Sequence, residues 1–366
     1  MLAGGLVVVG DRVVYPGWVS VADGVIEAVG EGAPPGGSVG VRDVGGAYVV
    51  PGFVDLHMHG GGGHSVLASK AEMAAAVAFH NAYGTTTTLV SAVTAPVEQM
   101  CAVTRWAAEL GLGTHLEGPF LADSHRGAQD PAHLLVPDPE VLATLLDAGT
   151  VRTVTIAPEL PGAQALIAQI LAAGVVPAVG HTAATYDQAS AAFDQGARLL
   201  THAFNGMPGL HHRAPGPVAA AIDHPTAVCE LINDGEHVHA PAARLLFRAM
   251  PGRVALVTDA LDAAGAPDGT YQLGGHQVLV RAGIARLATP SGKTGGSLAG
   301  STLTMDAAVR RAVHQLGLGV PQAVAAASLV PARVLGLRTG ELRPGYRADI
   351  VILDHELRVR EVLNAA

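Results

Sequence analysis

The stretch Pro51-Gly-Phe-Val-Asp-Leu-His-Met-His-Gly60 presents two histidines one residue apart, directly before a run of glycines that ends at Gly63. Residues 53–59 are apolar and alternating enough for a buried strand. Residues two apart in a strand share a face, so His57 and His59 project side by side with Asp55 below them. Two imidazoles at a strand end, with glycines leaving room above, suit a catalytic divalent ion that keeps an open position. A lone His-x-His is more often a solvated or core pair, so the weight comes from the rest of the chain. Glu117, His181, His202 and Asp259 each stand where a further proposed strand ends. Four imidazoles and two carboxylates form the ligand set of zinc or a similar borderline metal. Any one of them alone reads as a core residue; five separate strands ending in the same chemistry do not.

The elements that must bring these residues together recur in a fixed order. From residue 51 the chain alternates strand, glycine and alanine-rich helix. Strands are expected at 53–59, 85–90, 114–117, 151–156, 175–179, 198–202, 227–232 and 253–259, with helices at 70–83, 97–110, 187–195 and 241–250 among those between them. Alternating strands and helices imply parallel strands joined by crossovers, and eight such units imply a closed barrel. In a barrel the C-terminal strand ends converge on one mouth, where active sites sit. An open doubly wound sheet would need a G-x-G-x-x-G loop after its first strand, and Gly60 to Gly63 lacks that spacing. Residues 1–50 carry short β candidates with a tight Asp23-Gly24 turn, and the segment 341–354 has the same texture. The expected architecture is therefore α/β: a (β/α)8 TIM-type barrel over 51–335, with a small β-sandwich domain built from both termini, 1–50 and 336–366. Residues 271–288 read as hairpins, and a helix is expected at 304–316.

Composition bounds the partners. The 366 residues are 49% hydrophobic, enough for a large core, and the net charge of −9 argues against nucleic acid, which wants a basic face. A local arginine can still hold a small anion. Cys101 and Cys229 are the only cysteines and have no metal-type spacing; they read as buried thiols in a reducing compartment, hence the cytoplasm. The apolar run at 163–180 is broken by Gln164, Gln169, Gly174 and Pro177, so a helix and a buried strand are expected there rather than a membrane span. The run at residues 6–9 is too short for a secretory signal. Lys70 and Lys293 are the only lysines and neither ends a barrel strand, so a carboxylated lysine bridging two metals is unavailable and Glu117 is the candidate bridge.

With those residues in view the chain resembles the amidohydrolase superfamily, and within it the branch that deacetylates amino-sugar phosphates. The matching runs are Pro51 to Gly60, His115-Leu-Glu-Gly-Pro-Phe-Leu121, Gly180-His-Thr182, Thr201-His-Ala-Phe-Asn-Gly-Met207, Thr258-Asp-Ala260, Leu298-Ala-Gly-Ser301 and Pro344-Gly-Tyr-Arg-Ala-Asp349. The Leu-Glu-Gly-Pro-Phe run and the Thr-His-x-Phe-Asn run are specific to that branch; the His-x-His and Pro-Gly-x-x-Ala-Asp runs mark only the superfamily. The resemblance implies hydrolysis of the acetamide of N-acetylglucosamine 6-phosphate, with zinc or another divalent metal, one or two ions per chain. It implies that Glu117, His181 and His202 hold the common metal, that His57 and His59 match members with a second position, and that Asp259 is the general base. It also implies that Arg213 and His237 bind the 6-phosphate, at least one of the two across the interface of a homodimer, and that Asn205 and the Gly206 main chain make further phosphate contacts. Arg213 alone reads as a surface charge; its setting in His211-His-Arg-Ala-Pro-Gly216 is what lifts it. Where the family has a histidine contacting the acetamide carbonyl, this chain has Gln129, a neutral donor. His115, two residues before Glu117, reads as a supporting or core residue.

Three other readings share parts of this pattern. A deacetylase of N-acetylgalactosamine 6-phosphate needs nearly the same residues. A cyclic-amidase or aminoacylase type is disfavoured by the missing lysine and by the Arg213/His237 pair. A non-catalytic sugar-phosphate sensor has no need of a base at Asp259.

Overall fold

The computed structural model describes residues 1–36, 40–289 and 294–365; Lys293 lies outside them. Eight strands form one sheet in strict chain order: Phe53–Met58, Thr85–Val93, Gly113–Glu117, Val151–Ile156, Val176–Val179, Leu199–Leu200, Val228–Ile232 and Val254–Val257. Successive pairs from the second strand to the eighth are parallel. Their residues are buried almost throughout, as expected of strands covered on both faces. The sheet closes where the last strand runs out. Met58 bridges Ala260 in parallel, the Asp259 N–H donates to the His57 carbonyl at 2.8 Å, and the His59 N–H donates to the Ala260 carbonyl at 2.8 Å. The seam of the barrel thus runs through three of the residues singled out for their chemistry.

The helices between the strands follow from apolar residues at helical spacing. Ala163–Ala172 buries Leu166, Ile167 and Ile170, and the run continues into the strand Val176–Val179. Tyr186–Gln195 begins at a capping box, Thr185 with Gln188, which satisfies two otherwise orphaned main-chain donors. Among the described residues no helix is long and apolar enough to cross a membrane.

The expected strands at 198–202 and 253–259 are shorter in the fold. The sixth ends at Leu200 and the eighth at Val257. His202 and Asp259 lie past those ends because each has positive φ, +29° and +47°, which no strand accommodates. The hairpins expected at 271–288 are a four-stranded antiparallel sheet of Gly269–Leu273, His276–Arg281, Ile284–Ala288 and Thr294–Leu298.

By compactness the chain divides into two units, 1–55 with 80–87 and 304–366, and 56–79 with 88–303. The first contains a seven-stranded sheet drawn from both chain ends. Its order is Val359–Leu363, Ile350–Leu353, Tyr48–Pro51, Leu2–Val9, Arg12–Ala22 and Val25–Glu31, with Arg42–Asp43 also on Leu2–Val9. Val7, Val19, Ile26, Val49, Ile350 and Ile352 are buried in its core. The Asp23-Gly24 turn carries φ of +49° and +72°, the geometry of a tight hairpin connection.

Candidate metal centre

Six side chains meet above the barrel strands. His57 and Glu117 come from strand ends; His59, His181, His202 and Asp259 come from the turns that follow. All six are at least nine-tenths buried. His57 Nε2 lies 3.0 Å from His59 Nε2, and His181 Nε2 lies 3.0 Å from His202 Nε2. Glu117 Oε1 is 3.0 Å from His181 Nε2 and 3.1 Å from His202 Nε2, while its Oε2 is 3.4 Å from His59 Nε2. Asp259 Oδ1 is 3.2 Å from His59 Nε2 and 3.6 Å from His57 Nε2. The donor atoms fall into two groups that share Glu117: His57, His59 and Glu117, and Glu117, His181 and His202, each group within 4.8 Å.

The far side of each imidazole fixes which nitrogen faces inward. His59 Nδ1 is 3.0 Å from the Ser91 carbonyl, His181 Nδ1 is 2.9 Å from the His125 carbonyl, and His202 Nδ1 is 3.1 Å from the Asn205 carbonyl. A carbonyl only accepts, so each Nδ1 carries the proton and each Nε2 turns its lone pair toward the centre. His57 Nδ1 faces the Glu230 carboxyl at 3.3 Å instead. Inward nitrogens paired at hydrogen-bond distance cannot both accept from each other. This donor set fits a divalent cation of the zinc type, which satisfies several lone pairs at once.

The backbone is strained where it presents these groups. His181, His202 and Asp259 have φ of +44°, +29° and +47°. Positive φ in non-glycine residues costs about 1–3 kcal/mol each and clusters at functional sites. Gly206, with φ +60°, lies against the same ring: a Cβ there would stand 2.9 Å from His181 Nδ1.

Carboxylates and imidazoles of the cluster shift one another's protonation. Burial would push the His57 imidazole down, but the Asp259 and Glu117 carboxylates outweigh it and hold it well above the usual histidine range. Burial likewise opposes ionisation of Glu117, yet His57, His181 and His202 hold it well below the usual carboxylate range. For Asp259, burial is outweighed by His57 and His59, which hold the carboxyl down at about 2. Asp259 is therefore ionised at neutral pH, the form a base requires. His115 is pushed well below its ordinary value by burial and by the charge of His57. Its ring is locked between Ser91 Oγ at 3.0 Å and Thr155 Oγ1 at 2.7 Å inside the barrel, a supporting position.

Beside the cluster opens a pocket of about 390 Å³ whose walls include Gln129, Asn205, Gly206 and His237. Gln129 Oε1 accepts from the Thr94 N–H at 2.8 Å, which settles its orientation, so Nε2 donates to Glu117 Oε2 at 2.8 Å. His237 Nδ1 is 2.6 Å from Asp234 Oδ2, and the His237 main-chain N–H donates to Asp234 Oδ1 at 2.9 Å. Burial lowers the His237 pKa, but Asp234 outweighs it and the net shift is upward; Asp234 is correspondingly lowered in spite of burial. Arg213 is not brought into this pocket by its own chain. It is exposed, with Nη1 2.9 Å from His212 Nε2.

Two residues at the site escape the sequence reading. Glu230 sits beneath His57, and its signal is a single carboxyl inside the apolar strand Val228–Ile232. Arg286 lines the pocket from the antiparallel insertion, where neither strand-end position nor motif marks it.

Comparison with known proteins gives a consistent result. The sequence model of the amidohydrolase family matches residues 48–365. The N-acetylgalactosamine-6-phosphate deacetylase of Escherichia coli O157:H7 is 39% identical over 365 residues, spanning 94% of this chain and 94% of that protein. The N-acetylglucosamine-6-phosphate deacetylase of Vibrio furnissii is 34% identical over 328 residues, 86% of this chain and 80% of that protein. A mutant N-acetyl-D-glucosamine-6-phosphate deacetylase of Mycobacterium smegmatis, solved in complex with N-acetyl-D-glucosamine-6-phosphate, superposes with a TM-score of 0.95 at 44% identity. That match covers 100% of this chain and 97% of the other.

Proposed function

Because the chain belongs to the amidohydrolase family, we propose that it hydrolyses the acetamide of N-acetylglucosamine 6-phosphate to acetate and glucosamine 6-phosphate. The observation that carries the reading is one pocket lined by the His/Glu cluster, by the ionised Asp259 and by His237, whose pKa Asp234 raises in spite of burial. A base beside a cation-binding cluster serves amide hydrolysis; a raised-pKa histidine across the same pocket serves an anionic substrate.

His57, His59 and Glu117 would hold one divalent ion, and Glu117, His181 and His202 a second. When bound, such an ion, zinc by its donor set, supplies Lewis-acid polarisation and eases the ionisation of water. Asp259 takes the proton of the attacking water and returns it to the departing amine. An amine leaves only when protonated, so one carboxylate serves both halves of the reaction. Gln129 is held rigid by Thr94 and Glu117, and the second hydrogen of its amide serves the acetamide oxygen as that oxygen gains charge. His237, Asn205 and the Gly206 main chain receive the phosphate. Arg213, outside its own chain's pocket, would reach the phosphate of a neighbouring subunit in a homodimer. Cys101 and Cys229 are free buried thiols, which supports a reducing, cytoplasmic setting.

The test is acetate release from a panel: N-acetylglucosamine 6-phosphate, its galacto epimer, and both sugars without phosphate. Turnover concentrated on the phosphorylated gluco sugar is expected. Preference for the galacto epimer moves the assignment to the activity named for the E. coli relative; indifference to phosphate removes the phosphate reading.

A further inference from the structure

We infer that Glu230 is a positioning residue for His57, setting the ring that holds an ion at the His57–His59–Glu117 position. Of the four inward-facing imidazoles, three are fixed by main-chain carbonyls, those of Ser91, His125 and Asn205. No side-chain substitution removes such an acceptor. His57 alone is fixed by a side chain: its Nδ1 lies 3.3 Å from Glu230 Oε2, with both side chains fully buried. The same oxygen accepts the main-chain N–H of His202 at 3.3 Å. One carboxyl oxygen on the seventh barrel strand therefore meets two residues of the cluster.

The other oxygen gives the second observation. Glu230 Oε1 is buried with no hydrogen-bond partner among the described residues. A buried polar atom left unpaired costs about 1–3 kcal/mol. The neighbouring positions, Val228, Cys229, Leu231 and Ile232, are buried and apolar. An aliphatic residue at 230 would continue that pattern without the penalty, so the carboxyl is explained by the donors it receives. An acceptor at Nδ1 holds the proton there, stops the ring from turning over and leaves Nε2 to the ion. The asymmetry has a consequence: the ring of His57 is set by a replaceable side chain, whereas the rings of His181 and His202 are set by main-chain carbonyls and Glu230 meets only the main-chain N–H of His202.

The inference rests on the two-ion reading above, and zinc is the probe. Metal-stripped protein is titrated with zinc, with ions counted by elemental analysis and affinities read by calorimetry. The parent is compared with Glu230→Leu, Glu230→Gln and His57→Gln. In Glu230→Leu the zinc lost in His57→Gln should weaken by about 10–100-fold, the usual effect of removing a partner that orients a ligand. The other zinc should weaken clearly less, because Glu230→Leu costs its ligands only the acceptor of the His202 main-chain N–H and leaves both ring-setting carbonyls in place. Glu230→Gln retains an acceptor for His57 and should restore binding. Equal weakening of both ions, no weakening of either, or a Gln variant as poor as the Leu variant overturns the assignment. A measurement on the parent covers the case in which the Leu variant does not fold. With histidine nitrogens labelled, the zinc-loaded protein should show a slowly exchanging Nδ1 proton that disappears in His57→Gln. Absence of that proton means that His57 binds through Nδ1, which also overturns the role. A parent that holds a single zinc indifferent to His57→Gln overturns the two-ion reading and the role together. Two zincs in the parent, both unchanged in Glu230→Leu, overturn the role alone.

Discussion

Asp259 combines deep burial, a pKa held at about 2 and contact with two histidines of the cluster. Asp259→Asn keeps the shape and removes the carboxylate proposed as the base. It should keep its fold and at least one ion while kcat falls by roughly 10²–10⁴-fold; kinetics with metal analysis on one preparation checks both halves. A variant within a few-fold of the parent would assign the proton to another group. The His237–Asp234 pair makes a pH prediction of definite sign. The pKa of His237 is raised above 6.5, so the stabilisation from pairing is complete below 6.5 and lost as pH rises through the raised value. The pKa of Asp234 is lowered below 3.8, so its contribution is present above 3.8 and lost as pH falls through the lowered value. Between the lowered and raised values the imidazolium is available to the phosphate. KM for the phosphorylated sugar should therefore rise on the alkaline side, and Asp234→Asn should move that rise to lower pH. An unshifted KM profile in the variant would separate His237 from phosphate recognition.

The turns after the strands, more than the strands, decide the geometry of the centre. Gly206 illustrates this: its φ is +60°, and a Cβ would meet His181 Nδ1 at 2.9 Å and the His125 carbonyl at 3.2 Å. Gly206→Ala thus drives a methyl group against the 2.9 Å hydrogen bond that sets the His181 tautomer. Adopting this backbone costs an alanine about 1–2 kcal/mol, and disturbing the partner of a ligand typically weakens metal binding about 10–100-fold. Zinc titration and a thermal melt of the variant check the two effects. These turns are also where sequence and fold part company. Periodicity located all eight barrel strands, because residues buried on both faces leave long apolar runs. It carried the sixth and eighth strands too far, since His202 and Asp259 continue the run in type but not in backbone. His57, Glu117 and His181 were legible because polar residues at the ends of apolar runs stand out. Arg286 was not, because the insertion that carries it pairs with itself and its position over the pocket leaves no periodic mark.

Ion binding should contribute to the stability of the whole chain. A ligand held only by the folded state adds RT ln(1 + [L]/Kd), about 2.7 kcal/mol at a hundredfold excess over Kd. Stripping metal from the protein should lower its melting temperature, and zinc should restore it in a concentration-dependent way; a melt indifferent to zinc would contradict a built cation site. The homodimer reading has its own check. Arg213→Ala and Asp259→Asn chains, each poorly active, should regain activity when mixed and refolded, because a hybrid pairs one intact base with an intact arginine from the other chain. No recovery would keep Arg213 out of a neighbour's pocket. The barrel seam bears on how the protein is made. Asp259 donates its N–H to the His57 carbonyl and accepts at its own carbonyl from Ser301 at 2.7 Å, so strands one and eight meet through the centre itself. A ribosome delivers His57 and His59 about two hundred residues before Asp259. For most of synthesis the nascent chain holds histidines but no closed ring in which to place them. The complete six-residue cluster can therefore form only once the seam segment has emerged, after every other barrel strand is available.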